Sequence, residues 1–255
     1  MEQWLWLLTA GDNISLTTAL LLIALSCFTS LFTAMLGIGG GVLLLAVMAT
    51  TLPVGALIPV HGLVQSGSNA NRAYMTRMHI DWAMFCQFSA GACIGALIAT
   101  LVVVQFPLLI IQLAVAGFIL FLVWGPKPKA RETSPAGRTM AGMLTTFTSM
   151  FVGATGPLVA AFVHRSEYEK MQLTATFASC MTFQHCLKGM VFLFVGFAFT
   201  QWVALIILMI ASGAVGTWLG LKVLQRVSST HFRTAFKVVV TLLALRLLWQ
   251  AANAM

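Results

Sequence analysis

From Asn13 to Asn71 the chain runs 59 residues without one Asp, Glu, Lys or Arg, and residues 82–126 add a second uncharged run of 45. No soluble core can hide that much continuous apolar chain. A spanning helix needs about 20 apolar residues, and in lipid only helices and closed barrels satisfy their own backbone. Barrel strands alternate polar and apolar residues, and these runs do not. The expected class is therefore an all-α, polytopic membrane protein. Composition agrees: 60% of residues are hydrophobic and 8% charged, against about 25% charged in a soluble domain. A soluble enzyme, a nucleic-acid-binding domain and a disordered chain are excluded.

The net charge of +8 would suggest a nucleic-acid partner in a soluble protein. Here the basic residues occupy short gaps between apolar runs, so they are read as topology signals, and the partner is the lipid bilayer. Cys27, Cys86, Cys93, Cys180 and Cys186 lie inside apolar runs without C-x-x-C spacing, so no metal or cofactor motif is visible. H-E-x-x-H, G-x-S-x-G and P-loop lysine motifs are also missing, and nothing points to an enzyme. The start, MEQWLWLLTAGDN, lacks a basic n-region, which argues against a cleaved signal peptide. Trp4 and Trp6 are read as an interfacial anchor.

Hydropathy places spans at 56–76, 83–105, 107–124, 171–198, 202–221 and 234–250. Residues 14–53 are too long for one crossing and contain Gly37-Ile38-Gly39-Gly40-Gly41. Residues 139–163 are too short for two and contain Gly153-Ala154-Thr155-Gly156-Pro157. Each is expected to be two short helices joined by a glycine-rich break, forming a re-entrant hairpin, although residues 14–36 alone are long enough to span. The basic segments 72–77, 127–138, 165–170 and 222–237 all fall on one face if that face is cytoplasmic. Both termini then lie outside. Arg246 is the exception and snorkels. Arg77, Asp81 and Trp82 are read as an edge anchor with a local Arg–Asp pair.

The two halves look alike. Gly37–Gly41 matches Gly153–Pro157, Asp81-Trp82 matches Gln201-Trp202, and Gly91, Gly95 and Ala99 match Ser212, Gly216 and Gly220. Each half has one hairpin and three crossings, an odd number, so the second is inverted relative to the first, as in many secondary transporters. The expected division is a first repeat over 1–125, a cytoplasmic linker over 126–138 and a second repeat over 139–255.

A broken helix at membrane depth survives only where it lines a cavity or packs in protein. The half-helix after each break offers free N–H groups and a positive dipole end, a ready anion site. Gly37, Gly39, Gly40, Gly41, Gly153, Thr155, Gly156 and Pro157 are thus candidate substrate-binding residues, with tight helix packing as the alternative. His61, Gln65 and Asn69 share one helical face, as do Gln184 and Lys188 with His185 beside them. The alternatives are interhelical hydrogen bonds for the histidines and amides, and snorkelling for Lys188. Lys188 lies inside an apolar span, and no embedded carboxylate exists to pair with it. Its expected partner is an anionic ligand, with helix carbonyls as the fallback. Either histidine could titrate and couple proton movement. Cation carriers usually embed carboxylates, so an anionic substrate is preferred.

Leu36-Gly37-Ile38-Gly39-Gly40-Gly41, the proline turn after it, the long helix ending near Tyr74 and Arg77, and Ile80-Asp81-Trp82 together resemble the signature of the TauE/SafE sulfite exporter family, also called the toluene sulfonate uptake permeases. Gly153-Ala154-Thr155-Gly156-Pro157 resembles that family's second-half motif. The chain departs from the pattern at Ala154 and Thr155, and His61-Gly62-Leu63-Val64-Gln65 replaces a stretch of small residues. The resemblance implies an inner-membrane carrier of small sulfur-containing anions such as sulfite or organosulfonates, held near the midplane by the two breaks. The expected function is export by alternating access, with an anion channel or a non-transport membrane partner protein as alternatives. Assembly into a homo-oligomer is left open.

Overall fold

The computed structural model describes residues 2–37, 39–102, 107–126, 133–223 and 230–253, and among them every regular element is helical. The order is α1 (Glu2–Leu8), α2 (Leu16–Leu36), α3 (Gly40–Thr51), α4 (Val54–Met75), α5 (Trp82–Val102), α6 (Leu108–Trp124), α7 (Pro135–Val152), α8 (Gly156–Val163), α9 (Lys170–Phe194), α10 (Val203–Val223) and α11 (Thr230–Ala252).

Local chemistry sets the boundaries. The Ser15 hydroxyl accepts from the N–H of Thr18 and opens α2, and Ser134 does the same for Gly137 at the start of α7. Pro53 and Pro107 precede α4 and α6, where a missing N–H costs nothing. Gly37 and Gly153 end α2 and α7 at φ +86° and +83°, a left-handed conformation that glycine adopts without penalty.

Both glycine-rich segments interrupt helices, but the helices before them are not short. α2 has 21 residues, about 31 Å of helix, and is long and apolar enough to cross a membrane. No Gly or Pro interrupts residues 16–36, so nothing stops the helix before Gly37. α7 has 18 residues because it begins at Pro135, inside the stretch expected to be linker. Residues 127–132 of that linker lie outside the described residues. Only the helices after the breaks are short, with 12 residues in α3 and eight in α8.

Residues 82–102 and 199–222 also form helices long and apolar enough to span. The helices expected at 56–76, 107–124, 171–198 and 234–250 are present as α4, α6, α9 and α11. α4 and α9 are long but carry polar stripes, and they can do so because they pack on each other at the centre. Around them α2 lies along α10, α5 along α7, and α6 along α11.

Glycine makes the α5–α7 and α2–α10 contacts close. A Cβ on Gly91 or Gly95 would overlap the carbonyl oxygens of Thr139 or Met143, and one on Gly142 that of Phe88. A Cβ on Gly216 or Gly220 would likewise overlap the carbonyls of Cys27 or Leu31. These stripes are packing surfaces, where small residues let backbones approach. The apolar core divides accordingly. One cluster joins α2, α3, α4, α6, α10 and α11, and two others join α5, α7, α8 and α9.

Candidate functional site

The site lies where these core clusters meet. A cavity of about 30 Å³ is lined by Gly39, Gly41, His61, Gln65, Asn69, Gly156, Pro157 and His185. That is room for about two waters. Residues from both breaks and both polar stripes therefore converge, although their sequence separation exceeds one hundred residues. Thr33, Val42, Ala154, Phe177 and Met181 complete the wall. None of the five carries a charge, and apart from Ala154, which belongs to the second break, only tertiary packing identifies them.

The first turns of α3 and α8 both open on this cavity. Their leading N–H groups have no carbonyl a turn earlier to bond. Gly41 offers one on one side, with Gly40 next to it at the start of the same turn. On the other, Gly156 offers one and Pro157 none. Gly41 is also where the Gln65 amide lies, since a Cβ there would come within 3.1 Å of Gln65 Oε1.

The remaining candidates support the breaks from behind. Gly40 packs its first turn on α2, where a Cβ would strike the carbonyl of Thr29. Gly153 packs on Leu45, 2.7 Å from where its Cβ would be. Gly37 has open space around it, so its role is the turn itself. Thr155 receives a 2.8 Å hydrogen bond from Gln184 Nε2, and Gln184 Oε1 accepts from Thr145 and Thr146. Gln184 thus bonds through both atoms of its amide and stands behind the second break. Ile38 lies outside the described residues.

Lys188 is fully buried, and its Nζ donates to the Gly153 carbonyl at 2.6 Å. That carbonyl caps the negative end of α7, a favourable seat for a cation. The helix carbonyl, expected as the fallback partner, is in place. The Lys188 stem lies against Gly62, where a Cβ would come 2.8 Å from its Cδ. His61 Nε2 lies 3.0 Å from the Gly41 carbonyl, on the opposite break. The two imidazoles of His61 and His185 stand edge to face with centroids 6.1 Å apart.

Sequence reasoning placed Arg72 in a cytoplasmic basic segment as a topology signal, and the structure adds that its side chain packs inside the protein. Arg72 is 1% exposed, its Nη1 donates to Asn69 Oδ1 at 3.4 Å, and its Nε has no partner. It lies three residues beyond Asn69 and so continues the His61–Gln65–Asn69 stripe, a spacing readable in the sequence. Among the described residues the ion pairs are those of Arg165 with Asp81 and Glu167. Neither Lys188 nor Arg72 has a carboxylate partner there.

The edge anchor also differs. Arg77 stacks on Tyr74, while Asp81 pairs at 3.7 Å with Arg165, from the far end of α8. Tyr168 donates to the same carboxylate, and the backbone N–H of Asp81 donates to Thr176 Oγ1 at 3.0 Å. Partial burial pushes the Asp81 pKa up, but the Tyr168 hydroxyl, two backbone N–H groups and Arg165 outweigh it. The net position is below the ordinary carboxylate value. Burial and the same carboxylate raise the Tyr168 pKa.

No curated protein and no solved structure matches this chain. A family model described as Sulfite exporter TauE/SafE matches residues 22–247. That stretch contains both glycine breaks, both polar stripes and every residue lining the cavity. The chain, a multi-pass helical membrane protein, belongs to the TauE/SafE sulfite exporter family.

Proposed function

We propose that this protein exports sulfite or a small organosulfonate by alternating access around the central cavity. The observation that carries this reading is that two helix N-termini, one from each half of the chain, open on one cavity. Such ends favour anions. Two fully buried cations without carboxylate partners, Lys188 and Arg72, add positive potential nearby. A buried ionisable residue in a spanning helix is by default a candidate for a functional site.

The anion is held by backbone N–H groups of Gly40, Gly41 and Gly156, with Gln65 and Asn69 as side-chain donors. Gln184, Thr155 and Lys188 hold the second break in shape. Packing supports a division into inverted repeats over 1–125 and 139–255, joined by the linker. α2 on α10 corresponds to α7 on α5, while α4 on α9 and α6 on α11 map onto themselves. The short helices α3 and α8 then act as re-entrant arms from opposite faces. The protein sits in the inner membrane with both termini outside. Moving one negative charge outward releases about 2.3 kcal/mol per 100 mV of potential, enough to drive export.

Purified protein in proteoliposomes provides the test. Sulfite flux should saturate, show counterflow and rise with an inside-negative potential when sulfite is loaded inside. Sulfite should also stabilise the detergent-solubilised protein, by about 2.7 kcal/mol at one hundred times Kd. Flux that never saturates would make it a channel. Stabilisation by carboxylates or cations alone would overturn the sulfur-anion reading.

A further inference from the structure

The hydrogen bond between His61 and the first break fixes the chemistry of the ring's other nitrogen. The Gly41 carbonyl can only accept, so Nε2 of His61 is the donor. In the neutral ring Nδ1 is then a bare acceptor. That atom is buried and has no partner, although its residue lines the cavity and is 0% exposed. A buried acceptor with nothing to accept from costs about 1–3 kcal/mol, and such a group calls for an explanation. A fully deprotonated oxyanion cannot supply the missing hydrogen bond, since it too only accepts. It would instead meet Nδ1 lone pair to lone pair.

We infer that the cavity takes its anion together with one proton, held between an anion oxygen and Nδ1 of His61. A dianion and one proton from solution enter as a unit, which is equivalent to binding the monoprotonated acid anion. For a monovalent sulfonate, too weakly basic to keep the proton, the proton stays on the imidazole and the net charge is zero instead of minus one. The ligand class is therefore a small oxyanion taken up with one proton, and for sulfite the pair carries one net negative charge. This deepens the proposal that the cavity holds the transported anion and rests on it.

Helices α3, α6, α7, α9 and α10 pack against α4, the helix that carries this ring. α9 contributes His185 and Lys188, and Lys188 is already held by the Gly153 carbonyl. The His185 Nδ1 is also buried without a partner, but no carbonyl fixes which of its nitrogens is the acceptor. α3 presents only the Gly41 carbonyl. α6 has no charged residue, and Arg138 of α7 and Lys222 of α10 lie near the ends of their helices. On α4 itself, Arg72 lies three turns further along and bonds Asn69.

Calorimetry of sulfite binding to the solubilised full-length protein tests this. It is run at alkaline pH, where sulfite is the dianion, in two buffers of different ionisation enthalpy. The difference in apparent enthalpy gives the protons taken up per anion. About one is expected for the wild type. His61→Gln keeps a donor for the Gly41 carbonyl but lacks the second nitrogen, and its uptake should fall close to zero. Binding without proton uptake in the wild type overturns the inference, and so does full uptake in His61→Gln. Loss confined to His185→Gln assigns the proton to the other ring and also overturns it. If His61→Gln does not fold or bind, the ¹⁵N resonance of His61 Nδ1 in the wild type decides. It should move from the bare toward the protonated position on adding sulfite, and no movement overturns the inference. No sulfite binding at all would instead sink the underlying anion-site reading.

Discussion

Lys188 shows how one residue can serve structure and charge together. Its ammonium is held by the last carbonyl of α7, and its stem fills the notch left by Gly62. Lys188→Met keeps most of the stem and removes the charge. The Gly153 carbonyl then loses its partner, at about 1–3 kcal/mol, while the desolvation of a buried cation is relieved. The net effect on the unliganded protein should be small, a fall in Tm of no more than about 6 °C by the usual scaling for this size. Sulfite-dependent stabilisation should disappear, because the positive potential behind the cavity is gone. A thermal-shift titration measures both, and an undiminished sulfite shift would remove Lys188 from the anion path. The sequence singled out Lys188 through its isolation in an apolar span. It did not single out Arg72, because a basic residue near a helix end reads as a topology signal until burial is known.

At the scale of elements, the close pairs α5–α7 and α2–α10 are the frame on which the central helices are mounted. Gly95 and Gly216 occupy corresponding places in the two pairs, each against a carbonyl of the facing helix. Alanine at either site forces the helices apart and should cost about 1–3 kcal/mol, the usual range for overpacking. Gly117→Ala is the control, since a Cβ there meets nothing within 4 Å, and it should be neutral or slightly stabilising. Chemical or thermal unfolding in detergent gives the comparison. Equal effects at Gly95 and Gly117 would mean that the stripe does not set the helix spacing. Helices α3 to α11 were all legible as apolar runs or broken runs. What escaped was the length of α7, because a glycine cluster shows that a helix stops but not how far back it began.

Across the whole molecule, the Asp81–Arg165–Tyr168 cluster joins the start of α5 to the segment between α8 and α9. It thereby ties the first half of the chain to the second outside the spans. The folded Asp81 pKa is depressed, so its contribution to stability is fully present above the unfolded value of about 3.9. It is lost as pH falls through the lower folded value. Asp81→Asn should therefore lower Tm at neutral pH and flatten the Tm profile at its acidic end. Tm measured from neutral pH down to the acid limit of the wild type decides this, and parallel profiles would mean that the cluster does not link the halves. The same cluster is the clearest case of a pairing that sequence could not supply. Arg77 was the nearer basic residue along the chain, but it stacks on Tyr74, and the carboxylate reaches Arg165, 84 positions away.

The sequence by itself determined that this chain is a bundle of membrane helices, because 59 uncharged residues leave no other way to satisfy a backbone in lipid. It also located both breaks, because glycine clusters inside apolar runs are local signals. It further marked the stripes of α4 and α9, because four-residue spacing is local too. Only the tertiary structure decided that the breaks and stripes share one cavity, that Lys188 leans on Gly153, and that Arg72 is inside. Those facts depend on which helices become neighbours. Neighbours in a membrane bundle are chosen by close packing of surfaces such as Gly95 on Met143 and Gly216 on Cys27, and that complementarity belongs to pairs of helices rather than to any one stretch of sequence.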